Sequence, residues 1–133
     1  MNKMKPVLMV MVLAFTSSCA TSKLYDGPSL EREKIAVIRT DGKANLSGFD
    51  GRDFLFNKER YFELLPGVHV IEVNYILNGR LAKNAFLVEF DAKAGHEYEL
   101  QGSHSGNRWG LKLVDVTEKK QVGRIIGSNN NFL

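Results

Sequence analysis

The chain reads as an all-β protein, a small antiparallel β-sandwich or partly closed barrel of about 7–8 strands. Three observations predict it. Apolar and polar residues alternate through much of residues 34–126, which is the two-residue period of a half-buried strand. Turn residues recur about every 8–12 positions, as in sandwiches and barrels. No segment of useful length shows the three-to-four-residue apolar spacing of an amphipathic helix.

The strands follow in order. Ile35-Ala36-Val37-Ile38 is a short apolar run between Lys34 and Arg39. A weaker strand covers Ala44–Phe49, between the turn dipeptides Asp41-Gly42 and Asp50-Gly51. Tyr61–Leu65 ends in Pro66-Gly67, a pair suited to a type II turn. Val68–Leu77 is the clearest strand, with Ile71, Val73, Tyr75 and Leu77 on one face and Glu72 and Asn74 on the other. Asn78-Gly79 then makes the strongest short hairpin signal. Leu81–Phe90 returns, with Ala82, Phe86, Val88 and Phe90 opposite Lys83 and Glu89. In His96–Ser103, Tyr98 and Leu100 alternate with Glu97, Glu99 and Gln101. Ser105-Gly106-Asn107 turns into Trp109–Val116, and Gln121–Ile126 adds a short final strand.

With 133 residues the chain holds one ordinary domain. Apolar residues are 44% and charged residues 25%, a globular balance rather than a disordered one. The formal charge is +3, and loss of Lys3 and Lys5 with a leader would leave +1. No basic cluster is present, so nucleic acid is not an expected partner. A single cysteine cannot form an internal disulfide, which raises the question of what its thiol does.

The first residues answer it. Lys3 and Lys5 precede the apolar run Val7–Phe15, and the small residues Thr16-Ser17-Ser18 lead to Cys19-Ala20. That is the order of a secretory signal. Nine apolar residues rise about 14 Å as a helix, against the ~30 Å of a bilayer core, so the run is too short to span. Thr16-Ser17-Ser18-Cys19 resembles the lipobox of bacterial lipoproteins, with Thr16 where that family usually carries leucine. The resemblance implies a diacylglycerol thioether on Cys19, cleavage before it, and acylation (palmitate, for instance) of the new amine. Two or more chains would anchor the protein durably. Ala20 lacks the aspartate that retains such proteins at the inner membrane, which implies the outer membrane, facing the periplasm. The alternative is an ordinary signal that leaves Cys19 a free thiol.

The expected organisation is a signal peptide over 1–18, a lipidated N-terminus and tether over 19–33, the β-domain over 34–126 and a disordered tail over 127–133. Extended at ~3.4 Å per residue, the tether would reach about 45 Å. Within the domain, Asp50-Gly51, then Leu65-Pro66-Gly67-Val68-His69-Val70-Ile71-Glu72-Val73, then Ala94-Gly95-His96-Glu97-Tyr98-Glu99-Leu100 are similar, in order, to the segments of PEGA-type envelope domains. That resemblance implies a binding or surface-structural role rather than catalysis, with an envelope protein or glycan as partner. Oligomeric state is not legible.

The competing class is a periplasmic hydrolase or metal-binding protein, but no residues are assigned to catalysis, to a metal or to a cofactor. His69, His96 and His104 lack the paired spacing of zinc ligands and read as structural. Glu97 and Glu99 share a strand face, where a solvated surface is a simpler account than an acid–base pair. Neighbours on a strand point to opposite faces, so Ser103-His104-Ser105 is no triad. Gly102, Gly106 and Gly110 precede no helix and form no phosphate loop. Trp109, with Arg108 and Tyr98, would offer an aromatic and cationic patch to sugars or lipid headgroups; the alternative is Trp109 as a core anchor. Asn45-Leu46-Ser47 has the pattern of a glycosylation sequon, expected to be inert in a bacterial lipoprotein.

Overall fold

Strand pairing organises the chain into two sheets. The computed structural model describes residues 21–53, 60–77, 79–106 and 108–129. The expected signal peptide and Cys19 lie outside them. The described strands are β1 (Thr21–Lys23), β2 (Ala36–Thr40), β3 (Ala44–Phe49), β4 (Arg52–Asp53), β5 (Tyr61–Leu64), β6 (Gly67–Leu77), β7 (Arg80–Ala92), β8 (Glu97–Ser105), β9 (Arg108–Asp115), β10 (Lys120–Val122) and β11 (Arg124–Asn129). A single 3-10 turn, Arg32–Lys34, is the only helical element among the described residues.

One sheet has the order β1-β5-β2-β8-β9-β10 and the other β11-β7-β6-β3-β4. Neither closes on itself, so the fold is a sandwich and not a barrel. Ile38, Phe62, Tyr98, Leu100 and Leu113 of the first sheet meet Leu46, Ile71, Val73, Val88 and Phe90 of the second in one core. Each fully buried aliphatic or aromatic side chain contributes roughly 1.5–3 kcal/mol. Alternation places these residues: Tyr98 and Leu100 point inward while Glu97 and Glu99 stay on the outer face.

Several expectations are corrected. There are eleven described strands rather than seven or eight. The sheet is also not wholly antiparallel, since β1 pairs parallel with β5, and β2 parallel with β8. The apolar run of β2 accounts for this. A strand buried on an inner face in mid-sheet needs neighbours on both edges, and one of them, β8, arrives after four of the second sheet's five strands have been laid down. Such a crossover leaves no turn signature to read.

The stretch expected to be a tether carries β1. Its register is Thr21 with Tyr61, Ser22 with Phe62 and Lys23 with Glu63. Leu24 N–H then donates to Glu63 O at 2.8 Å, and Leu24 packs on the core. The chain therefore lies against the domain from its second residue after Cys19. Gly127, Ser128 and Asn129, expected in a disordered tail, belong to β11.

The single strand expected over Gln121–Ile126 is two strands in different sheets. β10 pairs with β9, and β11 with β7, with only Gly123 between them. Gly123 has φ +78°, and a Cβ there would lie 3.2 Å from both Glu89 O and Val88 Cγ1. Only glycine fits this corner. Asn74, expected on a polar outer face, is fully buried. It sits opposite Asn45, and Ser47 Oγ donates to its Oδ1 and to Glu72 O. Ser47 and Asn45 thus make that patch of β3 and β6 polar but enclosed.

The pairings define two ends. On the proximal side Thr21, Tyr61 and Glu99 lie at one level, Arg60 and the Asp41–Lys43 turn come next, and the Ser105–Arg108 and β6–β7 turns lie furthest out. The distal end gathers Lys23–Tyr25, Leu65–Gly67, Asp50–Arg52, Lys93–His96 and Val116–Lys119.

Candidate functional site

Titratable side chains gather at the distal end, where β8 begins and β9 stops. Asp115 is 1% exposed. Its Oδ2 lies 2.8 Å from His96 Nδ1, and its Oδ1 accepts the Glu118 N–H at 2.9 Å, closing the turn into β10. Burial alone would push the Asp115 carboxyl up. The His96 bond and the backbone N–H groups of Glu118 and Thr117 outweigh it, so the group titrates below its ordinary value. Glu118 is also held low, first by its hydrogen bond to Lys120 (2.8 Å) and then by Lys93 (3.5 Å). Lys120 is raised in return.

His96, Asp115 and Glu118 each offer one ligand atom, all within 4.8 Å of one another. One nitrogen and two carboxylate oxygens form a donor set that a divalent ion accepts. Two ammonium groups already lie against Glu118, however, and a metal would have to displace them. The sequence reading missed this grouping because Asp115 and Glu118 carry no spacing signal toward His96. Only the β8–β9 register, with Tyr98 opposite Asp115, brings them together.

A second histidine borders a cleft of about 390 Å³. His69 stands on β6 with Nδ1 2.6 Å from Asp50 Oδ2 and Nε2 2.7 Å from Leu65 O. Phe49 lies beside the ring at 4.8 Å. Asp50 Oδ1 also accepts the Val70 N–H at 2.9 Å, pinning the β3–β4 turn to β6. Both ring nitrogens are engaged, so His69 fastens two turns and offers no free nitrogen toward the cleft.

The proposed patch of Trp109, Arg108 and Tyr98 is not assembled. Tyr98 is buried at the distal end, where its hydroxyl accepts the Lys93 N–H at 2.8 Å. Burial pushes that phenol above its usual range, against the lowering effect of the same hydrogen bond. Trp109 pairs with His104 at the other end of the β8–β9 hairpin. It is half-buried between the sheets, 5.6 Å from Tyr75 and 4.6 Å from Phe86 by ring centroids. Arg108 is exposed beside it. Tyr75 and Phe86, both inward positions of the central hairpin, are the companions that the sequence reading did not assign to Trp109.

The remaining candidates serve structure. Arg39 binds both Glu97 (3.2 Å) and Glu99 (2.8 Å), so these carboxylates form an ion-paired face. His104 stacks on Tyr75 at 5.9 Å. Gly102 lies against the Tyr75 ring, and its N–H donates to Asp41 Oδ2 at 2.9 Å. The sequon asparagine, Asn45, is buried in β3. Cys19 lies outside the described residues.

The chain matches no family model, no curated protein and no solved structure.

Proposed function

We propose that the chain is a bacterial envelope lipoprotein, acylated on Cys19, whose β-sandwich binds or braces other envelope components without catalysing a reaction. The observation that carries this reading is the order of the first residues: two lysines, a nine-residue apolar run too short to span, three small residues and the chain's one cysteine. The use of the titratable groups supports the non-catalytic part. His69 is engaged at both nitrogens, and Glu97 and Glu99 are bound to Arg39. A PEGA-like role, contacting an envelope protein or glycan at the outer membrane, fits a domain whose polar side chains are spent on holding turns together.

Partition into a detergent phase tests the anchor. The mature native chain is expected in the detergent phase and the Cys19→Ser chain in the aqueous phase. Equal partition of the two would reject acylation. A second reading, a metal-binding envelope protein, rests on the proximity of His96, Asp115 and Glu118. Calorimetric titration with zinc, repeated on His96→Ala, decides it. Stoichiometric binding lost in the variant supports a metal, and no heat in either protein rejects it.

A further inference from the structure

We infer that the proximal end of the sandwich is a membrane-docking face that binds anionic phospholipid headgroups through Lys43, Arg60, Arg80 and Arg108. The inference rests on the Cys19 anchor and adds to it the orientation of the domain and the lipid class it meets.

The geometry begins with β1. Thr21 is already paired with Tyr61, so only two residue steps separate the domain from Cys19. At ~3.4 Å per residue that is about 7 Å of chain. The Debye length in physiological salt is about 8 Å. By register Thr21 lies level with Tyr61, Arg39 and Glu99, and the β8–β9 and β6–β7 hairpins run on past it on the anchor side. An acylated Cys19 would therefore bring their tips against the headgroups and hold Arg60 within the range of headgroup charge. The long tether expected from the sequence would have removed that constraint.

The charge at this end is one-sided. Lys43, Arg60, Arg80 and Arg108 are all exposed. They come from four connections: the β2–β3 turn, the start of β5, the β6–β7 turn and the start of β9. Arg60 lies over the first of these, its guanidinium 3.2 Å from the point where a Cβ on Gly42 would stand. Among the described residues the carboxylates at this end are Glu99, level with Tyr61 and bound to Arg39 (2.8 Å), and Asp41, which is turned to the backbone. Its oxygens accept the N–H groups of Lys43 (2.8 Å), Ala44 (3.0 Å) and Gly102 (2.9 Å). Asp26, Asp50, Asp91, Asp115 and Glu118 are at the distal end. The acidic side chains at the distal end are interspersed with cations such as Lys93 and Lys120, whereas the exposed cations of the proximal end outnumber its carboxylates.

Aromatic side chains add to the face. Tyr61, the partner of Thr21, is 42% exposed, and Trp109 is half-buried beside Arg108. Tyrosine and tryptophan favour the headgroup level, where one part of the ring is apolar and the other wet. Each cation close to an anionic surface is worth about fivefold in partition, so reversing three should lower it by at least on the order of a hundredfold.

Trp109 is the chain's only tryptophan and serves as the reporter. The mature protein, its N-terminus checked by mass spectrometry, is placed in phosphatidylcholine vesicles with or without phosphatidylglycerol. Each preparation includes a lipid quencher at headgroup depth. Quenching of Trp109 is expected with phosphatidylglycerol, and should disappear in high salt and in the triple variant Lys43→Glu, Arg60→Glu, Arg108→Glu. Circular dichroism confirms that the variant is folded, and Arg108→Glu alone serves if it is not. Equal quenching in both vesicles, or quenching indifferent to salt and to the charge reversals, overturns the docking face while leaving an acylated Cys19 intact. If the N-terminus proves unacylated, the anchor reading fails by itself. The docking face is then judged by co-sedimentation of the same chain with phosphatidylglycerol vesicles: salt-sensitive binding upholds it and no binding overturns it.

Discussion

Replacing Asp115 by alanine tests whether the distal end is held by one buried carboxylate. The substitution removes the acceptor of the His96 Nδ1 bond (2.8 Å), of the Glu118 N–H bond (2.9 Å) and of a Thr117 N–H bond. Hydrogen bonds to a charged group contribute about 1.5–3 kcal/mol each, but the groups left behind are partly exposed and regain water. The net loss should be about 2–4 kcal/mol. Asp115→Asn keeps one acceptor oxygen for the turn and should lose about 1 kcal/mol. Urea unfolding followed by Trp109 fluorescence measures both. At a slope of about 1.5 kcal/mol/M the alanine midpoint falls by roughly 1.3–2.7 M. His96→Ala completes a double-mutant cycle with an expected coupling of about 1–2 kcal/mol. If Asp115→Ala unfolds within about 0.5 kcal/mol of the parent at unchanged slope, the carboxylate does not organise this end. Acid provides a second check. The folded carboxyl titrates below the unfolded one, so the contribution is complete above the unfolded value. As pH falls below about 4.5, the unfolded chain takes up the proton first and stability declines. The Asp115→Asn protein should show a shallower decline.

Three further substitutions probe the rest of the frame. Gly102→Ala should cost about 1–3 kcal/mol in a thermal melt, because the new methyl would meet the Tyr75 ring at 3.0 Å and Lys43 Cβ at 3.2 Å. Tyr98→Phe should cost about 1–2 kcal/mol by leaving the Lys93 N–H without its acceptor, and its urea midpoint should move accordingly. Arg39→Met should change stability by less than about 1 kcal/mol despite losing two ion pairs, since a third of the arginine side chain is in solvent, and the difference should shrink with added salt.

The hairpins were legible. Val68–Leu77 and Leu81–Phe90 were placed within a few residues of β6 and β7, because alternation and the Asn78-Gly79 turn are local signals. Ala44–Phe49 matches β3 end to end. Three features were not legible, and each depends on a partner distant in sequence. Thr21–Lys23 is polar and looks like a linker, and it becomes a strand only because β5 offers a free edge. The β2–β8 pairing joins residues about sixty positions apart with no turn to announce it. Asn74 looked solvent-facing by alternation, yet Ser47 and Asn45 enclose it. The same limit applies to the sites. Tyr98 and Trp109 lie close in sequence, but a strand direction separates them to opposite ends. Asp115 and His96 lie nineteen residues apart and touch.

The parallel union of β1 with β5 also has a mechanical side. Were Cys19 acylated as proposed, tension arriving from it would run down the strand axis, and the backbone bonds of that pairing would be loaded together in shear rather than peeled apart in turn. Leu24, bonded to Glu63 and seated on the core, backs the strand at its far end. A tug on the anchor would thus meet its resistance at the very margin of the domain, before any force reached the strands behind it.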